Sequence, residues 1–398
     1  MKRSTLARLR SELRYRFQYP IEYRLGLMKA WYGDKSNTNG GIVRFLIISD
    51  GASYTSEQQF APLRRYAAAL RRRLGVVFHH MRLSDAMRLD RTALSRLHAV
   101  GLKLFFRNQT PGPIVARFRE QLSGTGVKLV YFDGDDDVCV QWPEVLRSVD
   151  LYVKKGVFAR EDDYLRSFVG KTNLTDYVWR EHGVAPGPED IPKSGVLDRA
   201  DLHKLYLGWS IALDDQIGEL VKKGNPMPVS DKAVDIVCRL NVPADWLFSL
   251  RNAVEPALEP LKNRYQVQLS TERVSPDQYY QEMRQSRICV SPLGYGEVCW
   301  RDFEAIACGC LLIKPDMSHL RSDPDLFVPG ETYVPVRWDY SDLAETCVHY
   351  LKSEAERTRI VDNAYRVLTE SHRDEAFVSR FALLLERLQA AVATPAVR

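Results

Sequence analysis

No run of 18 apolar residues occurs anywhere in the 398-residue chain, so no membrane-spanning helix is expected. There is no Cys-x-x-Cys pair and no histidine cluster at ligand spacing, which argues against a structural zinc site. The seven cysteines, Cys139, Cys238, Cys289, Cys299, Cys308, Cys310 and Cys347, are odd in number. Most lie beside apolar residues, and buried free thiols in a reducing compartment are expected. The chain also has no Gly-x-Ser-x-Gly elbow, Walker loop, His-Glu-x-x-His or Ser-x-x-Lys. Serine-hydrolase, P-loop ATPase and zincin chemistry therefore have no support. Internal repeats and long low-complexity segments are missing too.

Hydrophobic residues make up 45% of the chain, ordinary for a globular protein, and the length suits two domains. Residues 1–30 hold eight Lys and Arg against Glu12 and Glu22, an excess of six positive charges. The whole chain carries +5, so the remainder sums to about −1. A basic nucleic-acid surface along the whole protein is thus not supported, and no nucleic-acid partner is expected. The first thirty residues lack a continuous apolar core, so a cleaved leader is not expected. Instead Leu6, Leu9, Leu13, Phe17 and Ile21 alternate with arginines. Such an arm suits an anionic membrane surface, or a helix packed on the domain with a solvated charged face.

Strands alternating with helices predict a parallel α/β sheet. Strands are expected at 42–48, 76–79, 99–106, 127–132 and 150–153, with helices ending near Leu74 and spanning 111–122. Thr55 or Ser56 would cap the first of these. Between Gly183 and Pro228 the rhythm breaks at APGPEDIPKSG and KKGNPMP, which read as surface segments. It restarts at Val234–Leu240, followed by a helix over 245–263, a strand near Val267, a helix over 276–286 and a strand over 287–290. A long amphipathic helix closes the chain at 372–392. The division read from this is a basic arm over 1–36, a Rossmann-like unit over 37–228, a second over 229–371, and a terminal helix and tail over 372–398.

The richest stretch is SPLGYGEVCWRDFEAIACGCLLIKP, residues 291–315. It reads as a strand end, a loop with Gly294 and Gly296, a helix and a second strand. A loop running into a helix start presents unpaired N–H groups and favours anions. Arg301 and Glu304, one turn apart, share a helix face. A planar guanidinium suits a diphosphate, and a carboxylate suits a ribose diol. Tyr295 either stacks on a base or covers the loop.

Over roughly 235–351 this order of loop glycines, Arg301, Phe303-Glu304-Ala305 and Ala307-Cys308-Gly309-Cys310 resembles the donor half of GT-B glycosyltransferases, of exostosin-like or group 1 type. The resemblance implies two Rossmann-like domains facing a cleft, with the last helix crossing back to the first domain. It implies a nucleotide-diphospho-sugar donor, no cofactor and no metal. Glu304 would hold the ribose, and Arg301 with Arg239 the diphosphate, beside Gly294, Tyr295, Gly296 and Glu297. Many retaining members have seven residues between two glutamates, whereas Glu297 and Glu304 have six between them, so stereochemistry does not carry over.

In the first half the acidic run Asp133-Gly134-Asp135-Asp136-Asp137 ends a strand, and Asp50 ends another. Such positions face a cleft in open α/β sheets. Asp50, Asp133 and Asp135 are candidates for the base that deprotonates an acceptor; the same run also reads as a solvated capped loop. The implied activity is sugar transfer to a glycan or lipid-linked acceptor in surface-polysaccharide synthesis, in the cytoplasm or on the inner membrane face. A non-catalytic nucleotide-sugar or glycan binding module, or a sugar-nucleotide epimerase of the same fold, stands beside it.

Overall fold

The computed structural model describes residues 41–50, 58–104, 111–187, 197–224, 232–240 and 246–390. The basic arm and the Thr55 or Ser56 cap lie outside them.

The first half is a six-stranded, all-parallel sheet in the order β2-β1-β3-β4-β5-β7. Its strands are β1 (Val43–Ser49), β2 (Val76–Arg82), β3 (Ala99–Lys103), β4 (Lys128–Asp133), β5 (Leu151–Lys154) and β7 (Leu205–Leu207). The short β6 (Gly156–Phe158) lies outside this sheet. β3, β4 and β5 are almost wholly buried, as expected of parallel strands covered on both faces. The second half is a five-stranded parallel sheet in the order β13-β11-β10-β8-β9, built from β8 (Val234–Arg239), β9 (Val267–Ser270), β10 (Ser286–Val290), β11 (Leu311–Pro315) and β13 (Val334–Val336). The expectation of two Rossmann-like units holds. In each sheet the winding direction reverses once, between β1 and β3 and between β8 and β10. Ligands of open α/β sheets bind outside the carboxyl ends of strands at such reversals. That rule points to the loop after β10, which begins at Ser291.

The helix expected over 245–263 is broken. A single 3-10 turn at Trp246–Phe248 is followed by a short α-helix, Val254–Leu258, and a 3-10 turn, Glu259–Asn263. Pro256 and Pro260 each remove an N–H donor from the ladder, which explains the interruption. The helix expected over 276–286 forms at Pro276–Arg284, capped by the Ser275 hydroxyl on the Gln278 N–H.

Three features join the halves. The terminal helix, Asp374–Ala390, crosses back to the first sheet and buries Phe377, Phe381, Leu384 and Leu388 against Phe45, Tyr66 and Trp209. Phe377 stacks on Tyr66 at 4.7 Å and meets Trp209 edge-on at 5.1 Å. Each fully buried apolar side chain of this size contributes roughly 1.5–3 kcal/mol. β12 (Leu320–Ser322) pairs antiparallel with β6, so one small ribbon takes a strand from each half. The helix Asp215–Lys222, which follows the first sheet, packs on the helix Trp300–Ala307 of the second. No helix among the described residues is long and apolar enough to cross a membrane.

Candidate donor and acceptor site

The loop after β10 is fixed by one buried carboxylate. Asp302 accepts from the Ser291 hydroxyl at 2.5 Å and the Cys299 N–H at 2.9 Å, and pairs with Lys314 Nζ at 3.2 Å. Asp302 and Lys314 are both fully buried. Within the loop the Gly294 N–H donates to the Gly296 carbonyl at 3.0 Å, closing a tight turn.

This arrangement consumes the obvious partners of Arg301. Asp302 belongs to Lys314, and Glu297 faces His319 Nε2 at 3.5 Å. Among the described residues Arg301 has no salt bridge, and its Nη1 is buried without a hydrogen-bond partner. Beside it stands Arg251, whose Nε donates to the Leu293 carbonyl at 2.7 Å. Burial and the neighbouring Arg301 charge pull the Arg251 pKa below its ordinary value. Two guanidinium groups therefore crowd the same turn. Arg251 was not anticipated: it lies between Leu250 and Asn252 in a stretch that reads as plain helix, with no strand-end or glycine cue.

Glu304 is buried and accepts three side-chain hydrogen bonds. Tyr280 donates to Oε1 at 2.8 Å, Gln216 donates to Oε1 at 2.5 Å, and Tyr279 donates to Oε2 at 2.8 Å. Burial raises its pKa, although all three donors favour the charged form. None of the donors was legible beforehand, because Gln216 comes from the other half and the tyrosines from the helix before β10.

Arg239, expected at the diphosphate, is committed elsewhere. It forms a two-point ion pair with Glu282 at 2.7 Å for each bond, and its Nη1 donates to the Glu272 carbonyl at 2.8 Å. That is a strand-end salt bridge, the alternative to a diphosphate contact for this residue. Tyr295 is exposed and meets Trp246 edge-on at 6.0 Å. Glu297 is fully buried, and neither oxygen has a hydrogen bond of normal geometry. Burial alone would raise its pKa, but the adjacent His319 brings it below the usual carboxylate range.

The acidic run of the first half closes over the glycine loop. A Cβ built on Gly296 would sit 1.9 Å from the Asp136 carbonyl oxygen, so backbone meets backbone across the seam. The candidate bases separate by environment. Asp133 accepts from Tyr152 and Lys154, each at 2.8 Å. Burial would raise it, yet the Lys154 ammonium holds it below its ordinary value. A carboxylate locked in a buried ion pair is a poor proton acceptor. Asp50 is partly exposed at the end of β1. Asp135 and Asp137 line a small cavity with Asp136, Lys155, Ser210 and Val298. Burial raises Asp135 and pushes Asp137 up to about 7, although Lys171 Nζ stands 3.8 and 3.7 Å from them. Asp137 was not singled out from the sequence, where nothing distinguishes it from its neighbours. Among the described residues no group of three His, Cys, Asp or Glu could hold a metal ion. Lysines 154, 155 and 171 already face the acidic run.

No curated protein matches the chain. Several solved structures are similar to it at long range. A glycosyltransferase from Rickettsia africae ESF-5 is 10% identical, with 88% of this chain and 99% of that chain covered, at a TM-score of 0.47. A sucrose-phosphate synthase from Thermosynechococcus elongatus is 13% identical, with 88% and 100% covered, at 0.44. An α,α-trehalose-phosphate synthase (UDP-forming) from Burkholderia vietnamiensis is 12% identical, with 89% and 99% covered, at 0.44. These likenesses are too distant to carry an activity over to this chain. The segment that holds Arg251, the glycine loop, Arg301 and Glu304 is also the one with a family match: residues 251–381, about a third of the chain, match the glycosyl transferase-like family.

Proposed function

We propose that the protein is a glycosyltransferase that moves a sugar from a nucleotide-diphospho-sugar to a glycan or lipid-linked hydroxyl acceptor, without a metal. The observation that carries this reading is Arg301: a largely buried cation that forms no salt bridge among the described residues and whose Nη1 has no hydrogen bond, beside a second guanidinium, at a glycine loop and helix start. An unpaired buried charge is strongly unfavourable unless a ligand completes it. A diphosphate is the anion whose size and charge suit two adjacent guanidinium groups. The match of residues 251–381 to the glycosyl transferase-like family supports the same class.

In this reading Arg301 and Arg251 meet the diphosphate, and Glu304 meets the ribose. The acceptor hydroxyl lies in the cavity beside Asp137. Its oxygen attacks the anomeric carbon, the bond from that carbon to the phosphate oxygen breaks, and the nucleoside diphosphate leaves with the electron pair. The hydroxyl proton passes to Asp137. Charge develops on the leaving diphosphate, where Arg301 is already fixed. Asp137 is a better base than Asp133 because its pKa, about 7, lies near working pH and its lysine, Lys171, stands at 3.7 Å, whereas Lys154 is 2.8 Å from Asp133. A role in surface-polysaccharide synthesis on the inner membrane face rests on the basic segment 1–30 and is part of the proposal.

Asp137→Asn tests the acceptor side. Nucleotide release from UDP- and GDP-sugars, with glycan acceptors present, is expected to fall by about 10²–10⁴ while nucleotide affinity stays unchanged. In the wild type kcat/KM should rise with pH through about 7, because the base must be deprotonated, and then level off. A variant with wild-type turnover and the same rising limb removes Asp137 from the mechanism.

A further inference from the structure

Resting on the donor-site reading above, the hydrogen bonds of Glu304 raise a question of space. A carboxylate has about four in-plane acceptor positions, two on each oxygen. Oε1 is filled by Tyr280 and Gln216, and Oε2 keeps one position beside Tyr279. A vicinal diol that donates to both oxygens therefore needs one of the Oε1 donors to withdraw.

The two donors differ in how they are held. Tyr280 lies on the helix Pro276–Arg284 of the same half, partly buried and edge-on to Tyr279 at 5.3 Å. Gln216 is an exposed, unbranched side chain on the helix that follows the first sheet. Its Nε2 also reaches the Tyr280 hydroxyl at 3.0 Å. Two residues away, the Trp300 indole N–H donates to Asp214 Oδ2 at 3.1 Å, a second polar tie across the same seam. Swinging Gln216 away leaves the tyrosines to orient Glu304, whereas moving Tyr280 disturbs a packed pair.

We propose that Gln216 is a positioning residue that sets donor affinity: it latches the two halves together at the Glu304 oxygen that the ribose diol requires, and it is displaced when a nucleoside diphosphate binds. Glu304 then exchanges a bond from its own protein for one from the ligand. Donor binding is coupled in this way to release of one contact between the halves.

The test is isothermal titration of UDP and GDP, each with its 2′,3′-dideoxy counterpart, into wild type, Gln216→Leu and Glu304→Ala. Gln216→Leu removes the competing donor at an exposed position and keeps the bulk. The ribonucleotide is expected to bind this variant about 3- to 10-fold more tightly, the size of one net hydrogen bond. The dideoxy compound should bind variant and wild type alike, because it makes no demand on Oε1. Unchanged or weaker ribonucleotide binding to Gln216→Leu overturns the latch, as does an equal change for both sugars. If neither nucleotide binds the wild type, or Glu304→Ala binds the ribonucleotide as well as wild type does, the donor-site reading itself fails and the latch with it.

Discussion

Arg301→Met is expected to make the ligand-free protein more stable and nearly inactive. Arg301 Nη1 is buried without a partner, and the guanidinium stands next to Arg251. Methionine keeps most of the apolar length and removes both the desolvated charge and its repulsion with Arg251. Replacing buried ionic groups by well-packed apolar side chains is often neutral or stabilising by about 1–4 kcal/mol, and a gain at the lower end of that range is expected here, because Arg301 also acts on the Glu304 carboxylate. The same change deletes a fixed cation where the proposed mechanism places the leaving diphosphate. Loss of one such preorganised group typically lowers kcat by about 10²–10³. Denaturant unfolding of the ligand-free protein and nucleotide release from sugar nucleotides give the two readings. A structural arginine predicts the reverse pair: a less stable protein that turns over normally when folded.

Gly296→Ala should push the two halves apart where Gly296 meets Asp136. The added Cβ meets the Asp136 carbonyl oxygen at 1.9 Å and Asp136 Cβ at 2.7 Å, so one loop must retreat by more than an ångström. Overpacking of this kind costs about 1–3 kcal/mol. The larger effect is expected on turnover, because the retreat moves the acidic loop away from the glycine loop proposed to hold the donor, and a misplacement of about 1 Å can cost about 10²-fold. Gly294→Ala is the matched control. Its nearest neighbours are Cys299 Sγ at 3.2 Å and the Gly296 carbonyl at 3.4 Å, so a shift of a few tenths of an ångström accommodates it. A measured kcat for Gly296→Ala no lower than that of Gly294→Ala would show that the contact between Gly296 and Asp136 has no part in assembling the site.

What the sequence made legible follows the range of the interactions. Buried parallel strands are short apolar runs, so the central strands of both sheets could be read from local pattern, whereas the three-residue edge strands β7 and β13 could not. The loop after β10 could be singled out because its glycines, Arg301 and Glu304 lie within about a dozen residues, on one strand end and one helix turn. The partners of those residues could not. Gln216 and Glu304 are 88 positions apart, and no local pattern ties them together. β6 and β12 are three residues each, too short to show a period, yet their pairing fastens one half to the other. Arg239 and Arg251 show the same limit from opposite sides. The first sits at a strand end, where phosphate-binding arginines are expected, and is claimed by Glu282. The second sits in an unremarkable stretch that reads as helix, yet lies in a turn between the 3-10 turn Trp246–Phe248 and the helix Val254–Leu258, where it reaches the Leu293 carbonyl. Among the carboxylates, the sequence could not separate Asp133 from Asp137. The difference lies in Lys154, which reaches Asp133 from the neighbouring strand.

The central claim is that the loop over residues 291–301 and Glu304 form a nucleoside-diphosphate site. Thermal unfolding of wild type and Glu304→Ala in the presence of UDP, GDP, CDP and CMP tests it most directly. One nucleotide at about 100 times its Kd should stabilise the wild type by roughly 2.7 kcal/mol, and the variant should show little of that gain. A well-folded wild type that none of the four stabilises, or an equal gain in Glu304→Ala, would contradict it.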